Sequence, residues 1–400
     1  MSKTSFKTTA EWKNLNWRKL ERQVFKLQKR IYRASQRGDV KAVRKLQKTL
    51  INSWAAKALA VRKVSQDNQG KRTAGIDGVK SLTPVQRLRM AENLKVTGKS
   101  RATRRVLLPK PNTNEKRPLG IPTMYDRALQ ALVKQALEPE WEAKFEPNSY
   151  GFRPARSCHD ARQQIFMELC QTTKYILDAD IAKGFDKINH EELLKKIDTY
   201  PTRRKQIKAW LKSGVMDNGT FEETEAGTPQ GGVISPLLAN IALHGMETFI
   251  NNMAGKPSQR YTQPHLIRYA DDLVIMHKDI EVILKCQEAL KQWLAPMGLE
   301  LKPSKTRICH SLEEHNGEKA GFDLLGFNIR QYPTGKAKSL KCQGRLLGYT
   351  LAIKPSKEKV KLHLAKIKEV IKAHKAAPQA ALIKEINPII KGWSNYSQPK

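Results

Sequence analysis

The chain has 400 residues, 40% of them apolar, enough for two or three domains with hydrophobic cores of their own. Lysine and arginine number 73 against 38 aspartates and glutamates, a formal charge of +35. That surplus argues against an ordinary small-molecule enzyme and for a polyanionic partner, nucleic acid above all; no run of 18 apolar residues is present, which excludes a membrane-spanning helix. The first residues lack the apolar stretch of a signal peptide, and the five cysteines are scattered without a CxxC pair. A soluble protein of a reducing compartment is expected, cytoplasmic in a bacterium or in an organelle matrix. The charge gathers at the ends: residues 1–50 and 334–400 each carry net +12, and the centre +11.

In chain order, Trp17, Leu20, Val24, Leu27 and Ile31 recur at helical spacing. Val43, Leu46, Leu50 and Trp54 repeat the pattern after a break at Gly38, with Asp39 placed to cap that helix. Residues 66–78 read as a loop, 104–123 as a hairpin with cationic flanks, and 126–137 as a helix. Residues 149–161 form a loop that enters a helix over 161–169, and 175–181 is a strand. Helices are expected over 191–197, 203–212 and 237–249, the last after a Gly/Pro-rich loop. Two apolar runs over 266–276 meet at Asp271 and Asp272, which predicts a hairpin with acids at its turn. A helix over 280–294 and a strand over 324–329 follow, then basic helices over 360–374 and 379–390 beyond a composition shift at 333–345. Strands and helices that do not alternate regularly argue for an α+β fold.

The chemistry concentrates in two acidic motifs, LDADIAKGFD with Asp180 at the end of an apolar strand, and YADD with Asp271 and Asp272. Carboxylates at the ends of buried strands are costly unless paired or metal-bound. Acids converging from two strands make an oxygen-ligand site for Mg²⁺, and two such ions can activate a 3′-hydroxyl and stabilise leaving pyrophosphate. Asp178 shares the strand face of Asp180 and reads as mostly structural, and Asp186 as a residue fixing its turn.

The motifs TAGIDG, RRVLLPKPNTNEKRPLGIPT, SYGFRPARSCHDA, LDADIAKGFDKINH, GTPQGGVISPLLANIAL, RYADDLVIM, LELKPSKT and LLGF follow one another between about residues 70 and 330. In that order they resemble the group II intron-encoded reverse transcriptases, or maturases, and GWSNY at 392–396 resembles the thumb or maturase domain X. The resemblance implies a right-hand polymerase with fingers, a palm holding an antiparallel sheet plus helices, and a helical thumb. Its expected divisions are a basic helical extension over 1–65, fingers 66–175, palm 176–335 and a thumb or domain X over 345–400. Asp180, Asp271 and Asp272 match the family's metal-binding catalytic acids, which take two Mg²⁺, with Mn²⁺ as a substitute. Phe185 matches an aromatic that lies against the sugar and selects dNTPs. Lys110 and Arg117 match cations that grip the triphosphate, Gln230 a residue of the nucleotide-facing loop, and Lys305 a cation able to protonate or neutralise pyrophosphate. Tyr150, Phe152, Arg153 and Arg156 match a template-contacting block. The basic faces carrying Arg30, Arg33, Arg37, Arg44 and Lys45 are candidate intron-RNA anchors.

The partners so implied are group II intron RNA, an RNA template with a DNA primer, and dNTPs, with no membrane. Relatives often continue into a DNA-binding region, sometimes with an endonuclease. Lys400 follows Tyr396 by four residues, so target DNA is a partner only if further C-terminal domains exist, and a shortened thumb is left open. Alternatives are a reverse transcriptase of a retron or defence system, or a splicing-only RNA-binding cofactor. An RNA-dependent RNA polymerase is disfavoured by YADD and Phe185.

Overall fold

The computed structural model describes residues 12–109, 116–182, 184–217, 219–253 and 263–398. It opens on helices α1 (Trp17–Gln36), α2 (Val40–Asn52), α3 (Trp54–Arg62) and α4 (Pro84–Asn93). Strands β1 (Thr103–Pro109) and β2 (Lys116–Ile121) precede α5 (Met124–Glu142), α6 (Cys158–Leu169) and β3 (Tyr175–Asp180). Next come α7 (His190–Ile197), α8 (Pro201–Leu211), β4 (Val215–Asp217), β5 (Thr220–Glu222), α9 (Ser235–Ala242) and α10 (Met246–Met253). They are followed by β6 (His265–Tyr269), β7 (Asp272–His277), α11 (Ile280–Leu294) and β8 (Arg307–His310). The last elements are β9 (Phe322–Leu324), β10 (Phe327–Pro333), β11 (Lys341–Cys342), β12 (Arg345–Leu346), β13 (Tyr349–Pro355), α12 (Lys357–Ala373) and α13 (Gln379–Ser397). The chain forms two compact units: residues 1–146, 182–245 and 293–300 make the first, and 147–181, 246–292 and 301–400 the second. The mixture is α+β, as the irregular order of elements implied.

In the first unit α5 is the hub. Ala128, Leu129, Leu132, Val133, Ala136 and Leu137 are all buried, and α1, α2 and α3 pack against this helix. The apolar stripes of the N-terminal helices supply the other half of the contact, with Val24, Ile31, Val43 and Leu50 buried. Asp39 caps α2, accepting the Ala42 N–H at 2.9 Å. The stripe that ran through Trp54 is not one helix: Ser53 is extended (ψ 129°) and Trp54 begins α3. Two short turns, Lys63–Asp67 and Gln69–Arg72, replace part of the expected loop. The hairpin over 104–123 forms as β1 and β2, Arg104 opposite Ile121, in a sheet of order β2-β1-β4-β5.

In the second unit the strand order is β6-β7-β3-β8, every pair antiparallel. One face is sealed by Ile165 and Leu169 of α6 against Ile176, Val274 and Met276, with Phe322, Phe327 and Ile329 completing the cluster. The run 324–329 is a hairpin and not a strand. Leu325 and Gly326 turn with φ +51° and +78°, and Phe327 pairs back on Leu324. A two-residue turn with both φ positive matches the strand twist, and the continuous apolar sequence hid it. The expected helix over 237–249 breaks likewise, ending at Ala242 and restarting at Met246 after Gly245 at φ +93°. β10 pairs with β13 from Phe327–Pro355 to Pro333–Tyr349. Of α12 and α13 only Val370 is buried, and α13 ends with the Tyr396 hydroxyl donating to the Leu325 carbonyl at 2.6 Å.

Candidate active site

The acids come together through strand register in the second unit. Asp180, last residue of β3, lies directly opposite Asp272, first residue of β7. Between Tyr269 and Asp272 the chain reverses in two residues, Ala270 and Asp271. Ala270 holds φ +59°, a conformation that favours glycine, and such local strain is characteristic of functional turns. The Ile181 N–H donates to the Asp271 carbonyl at 3.2 Å, tying the turn to the end of β3. Like charges facing each other across strands are unfavourable. The Asp272 carboxyl is accordingly pushed up to about 6, by burial first and then by Asp271 and Asp180.

Two cations, one on β8 and one on the turn before it, meet the two acids of β3. Arg307 pairs in register with Asp178 and its Nε donates to that carboxylate at 3.2 Å. Burial still raises the Asp178 carboxyl to about 6. Lys305, on the turn Pro303–Lys305, places Nζ 2.7 Å from Asp180 Oδ2. That bond to Asp180 is the main reason its ammonium pKa is raised. Among the described residues no three His, Cys, Asp or Glu side chains stand arranged to hold a metal ion. The donor chemistry nonetheless fits a divalent cation. Asp180, Asp271 and Asp272 offer hard carboxylate oxygens, and the crowding that opposes ionisation of Asp272 is the field a cation relieves.

The loop SYGFR is built onto the same turn. Arg268, 1% exposed, donates to Ser149 Oγ at 2.7 Å and to the Ala270 carbonyl at 2.9 Å. Tyr150 N–H donates to the Arg268 carbonyl at 2.9 Å. At Gly151 a Cβ would meet the Ala270 nitrogen at 2.4 Å, so only glycine fits. The four expected template-contacting side chains divide. Tyr150 and Arg153 are buried, Arg153 donating to the Ser149 carbonyl at 2.7 Å. Phe152 is exposed, and Arg156 is exposed, stacking on the Tyr150 ring and donating to the Pro147 carbonyl. The sequence did not mark Arg268 or Arg307, and it counted Gly151 in the template-contacting block, where the fold uses it for close packing against Ala270. For Gly151 the signal was the glycine itself, beside a Tyr-Phe pair.

Three further nucleotide-binding candidates, Phe185, Gln230 and Arg117, lie in the first unit. Phe185 is half-buried and its carbonyl accepts the Thr228 N–H at 2.6 Å. Gln230 donates its amide to Asp186 at 2.9 Å, and its carbonyl accepts the Gly120 N–H at 2.7 Å. The turn after Phe185, the PQGG loop and the end of β2 are thus one bonded assembly, in which Asp186 anchors Gln230. Arg117 is exposed on β2, opposite Leu108. Lys110 lies outside the described residues. Arg30 and Arg33 on α1, Arg37 at its C-cap and Lys45 on α2 are exposed, while Arg44 on α2 is half-exposed and paired with Asp198 at 3.3 Å. No helix among the described residues is long and apolar enough to cross a membrane.

Comparison with known proteins places these features in a family. Residues 108–329 match the reverse transcriptase (RNA-dependent DNA polymerase) family. Residues 12–94 match the N-terminal domain of reverse transcriptase, and 360–398 the group II intron maturase-specific domain. Protein YkfC of Escherichia coli is 31% identical over 69% of this chain and 80% of its own length. Group II intron-encoded protein LtrA of Lactococcus lactis is 31% identical over 66% of this chain, which spans 40% of that relative. Maturase-like protein 1 of Euglena gracilis is 27% identical over 96% of this chain and 77% of its own.

Proposed function

The chain belongs to the reverse transcriptase family, the RNA-dependent DNA polymerases, and on that premise we propose that it copies RNA into cDNA at Asp180, Asp271 and Asp272 and, as a maturase, binds a group II intron RNA to assist splicing and retrohoming. The observation that carries the catalytic assignment is the register that sets Asp180 opposite Asp272 beside the strained Ala270-Asp271 turn. Two Mg²⁺, or Mn²⁺ in their place, would supply activation of the primer 3′-hydroxyl and neutralisation of the departing pyrophosphate. Asp180 and Asp271 would hold both ions, and Asp272 would support one. Lys110, Arg117 and Lys305 bind phosphates of the incoming dNTP, and Gln230, anchored by Asp186, fixes the loop that faces it. Phe185 excludes a 2′-hydroxyl. The exposed Phe152 and Arg156 touch the template, while the buried Tyr150 and Arg153 hold the loop in shape. The division into extension (1–65), fingers (66–175), palm (176–335) and helical thumb (345–400) is part of the same right-hand reading. Target DNA is a further partner if further C-terminal domains exist, and the work is done where the intron is transcribed, a bacterial cytoplasm or an organelle matrix.

Primer extension on an RNA template tests this directly. Asp271→Ala or Asp180→Ala should lower synthesis by about a thousandfold or more while RNA affinity stays within about threefold. Synthesis by Asp271→Ala near the wild-type rate would sink the metal-site assignment, and a wild-type chain that splices without synthesis would favour the splicing-only cofactor. Phe185→Ala should raise rNTP use relative to dNTP in a protein that stays folded. An unchanged sugar preference would make Phe185 a packing residue. Sequencing the RNA that copurifies separates an intron partner from a retron or defence RNA.

A further inference from the structure

We propose that Lys305 is the resident counter-ion of Asp180, and that a divalent cation reaches this carboxylate by exchange with the Lys305 ammonium. The proposal rests on the reading of Asp180 as a cation ligand and adds to it a built-in competitor. The segment carrying Lys305 is fastened to Asp180 twice. Its backbone is held where the Lys302 N–H donates to the Asp180 carbonyl at 2.8 Å. Its side chain is held where Nζ lies 2.7 Å from Asp180 Oδ2. The turn between these points is closed by the Lys305 N–H and the Thr306 hydroxyl, both donating to the Lys302 carbonyl at 3.0 and 2.9 Å. The ammonium is therefore delivered to one carboxylate oxygen by a turn that cannot drift from it.

The neighbouring pair shows why this cation, and not the other, can exchange. Arg307 lies on β8 in register with Asp178 and also meets Glu318 at 3.4 Å, so two acids and strand pairing hold it. Lys305 stands on a turn with its side chain 56% exposed, and a flexible four-carbon stem lets it swing into solvent at small cost. Mg²⁺ binds carboxylate oxygen at about 2.1 Å, inside the space an ammonium at hydrogen-bond distance occupies. The two positive charges also repel, so cation and ammonium take Asp180 in turn. Exchange keeps the acids compensated before loading and lowers cation affinity.

The test is Mn²⁺ binding to the full chain without nucleotide or primer, followed by the electron paramagnetic resonance signal of free Mn²⁺ at fixed salt. Lys305→Met should bind Mn²⁺ about tenfold tighter than wild type, and Mn²⁺ should raise its melting temperature by more. Lys305→Arg, which keeps the charge, should stay near wild type and guards against a folding artefact in the Met variant. Equal or weaker binding by Lys305→Met, or tighter binding by Lys305→Arg, overturns the exchange. Asp180→Asn should lose the binding in either background. If it binds as wild type, the ligand role of Asp180 fails instead, which keeps the two failures distinct.

Discussion

The strand-end acids of the second unit and the helix-face cations of the first carry charge under opposite conditions. Asp178 and Asp272 stand where burial raises their carboxyls to about 6, beside Asp180 and Asp271. Arg30, Arg33, Arg37 and Lys45 stand in solvent on helices whose other faces bury Ile31, Val43 and Leu50. Charge in the first setting costs free energy and persists only with a compensating partner. Charge in the second costs little, and each residue alone says little. It acquires meaning through number and alignment, because each neutralised phosphate releases counter-ions. The acids should thus respond to pH and hardly to salt, and the cations should do the reverse.

On RNA binding the largest expected effect lies on the cationic side. Neutralising Arg30, Arg33, Arg37, Arg44 and Lys45 together should weaken intron-RNA binding about a hundredfold at moderate salt, and flatten the log-affinity slope by about 0.7–0.9 per lost contact. Synthesis on a pre-annealed, non-intron template should fall far less, since the acids are untouched. Filter binding across a salt series reads the first, and primer extension the second. If the slope holds while synthesis collapses, these helices act as part of the polymerase body and the contrast with the acids disappears.

The acids offer the next effect. Asp178 and Asp272 titrate from about 3.8 in the unfolded chain to about 6 in the fold. Above pH 4 the unfolded state releases these protons first, so their contribution to stability declines as pH rises through 6, then levels off. In metal-free buffer, wild type should lose at least about 1 kcal/mol relative to Asp272→Asn between pH 4 and 7. Urea denaturation at several pH values measures it, and changing salt should barely alter it. A wild-type curve parallel to the variant's would mean that Asp272 is no more crowded than a surface acid.

This contrast also explains what the sequence made legible. Asp180, Asp271 and Asp272 stood out because acids flanked by buried strand residues are anomalous; the strand was readable from its alternation and the hairpin from two apolar runs meeting at the acids. The helix face of α5 was readable from apolar residues recurring at helical spacing. Breaks that leave hydrophobicity unchanged were not: Leu325-Gly326 turns inside an apolar run, and Gly245 separates two apolar helices. β8 has four residues, too short for a period to emerge. α4 could have been found, since Thr83 and Gln86 form a capping box around Pro84 at the helix start. The roles of Arg268 and Arg307 depend on contacts far along the chain, which spacing does not encode. A basic residue that ties Ser149 to Ala270 looks in sequence like any other arginine in a chain of 73 lysines and arginines.

The smallest effect separates the cations from one another. Arg44 shares its charge with Asp198 at 3.3 Å, while Arg33 makes no ion pair among the described residues. To take a phosphate, Arg44 must give up a carboxylate it already holds, so the exchange releases less than a full counter-ion. Arg44→Ala should then weaken RNA binding by no more than about twofold and change the salt slope by less than half of the 0.7–0.9 expected for Arg33→Ala. Removing the competing carboxylate gives the opposite sign. Asp198 holds φ +41°, so asparagine, which tolerates that conformation, is the replacement that leaves the backbone in place. Asp198→Asn should raise affinity by about twofold, because it frees Arg44 and deletes a charge that repels phosphate. Equal losses from Arg33→Ala and Arg44→Ala, with no gain from Asp198→Asn, would show that these faces act as a uniform field in which local pairing carries no weight.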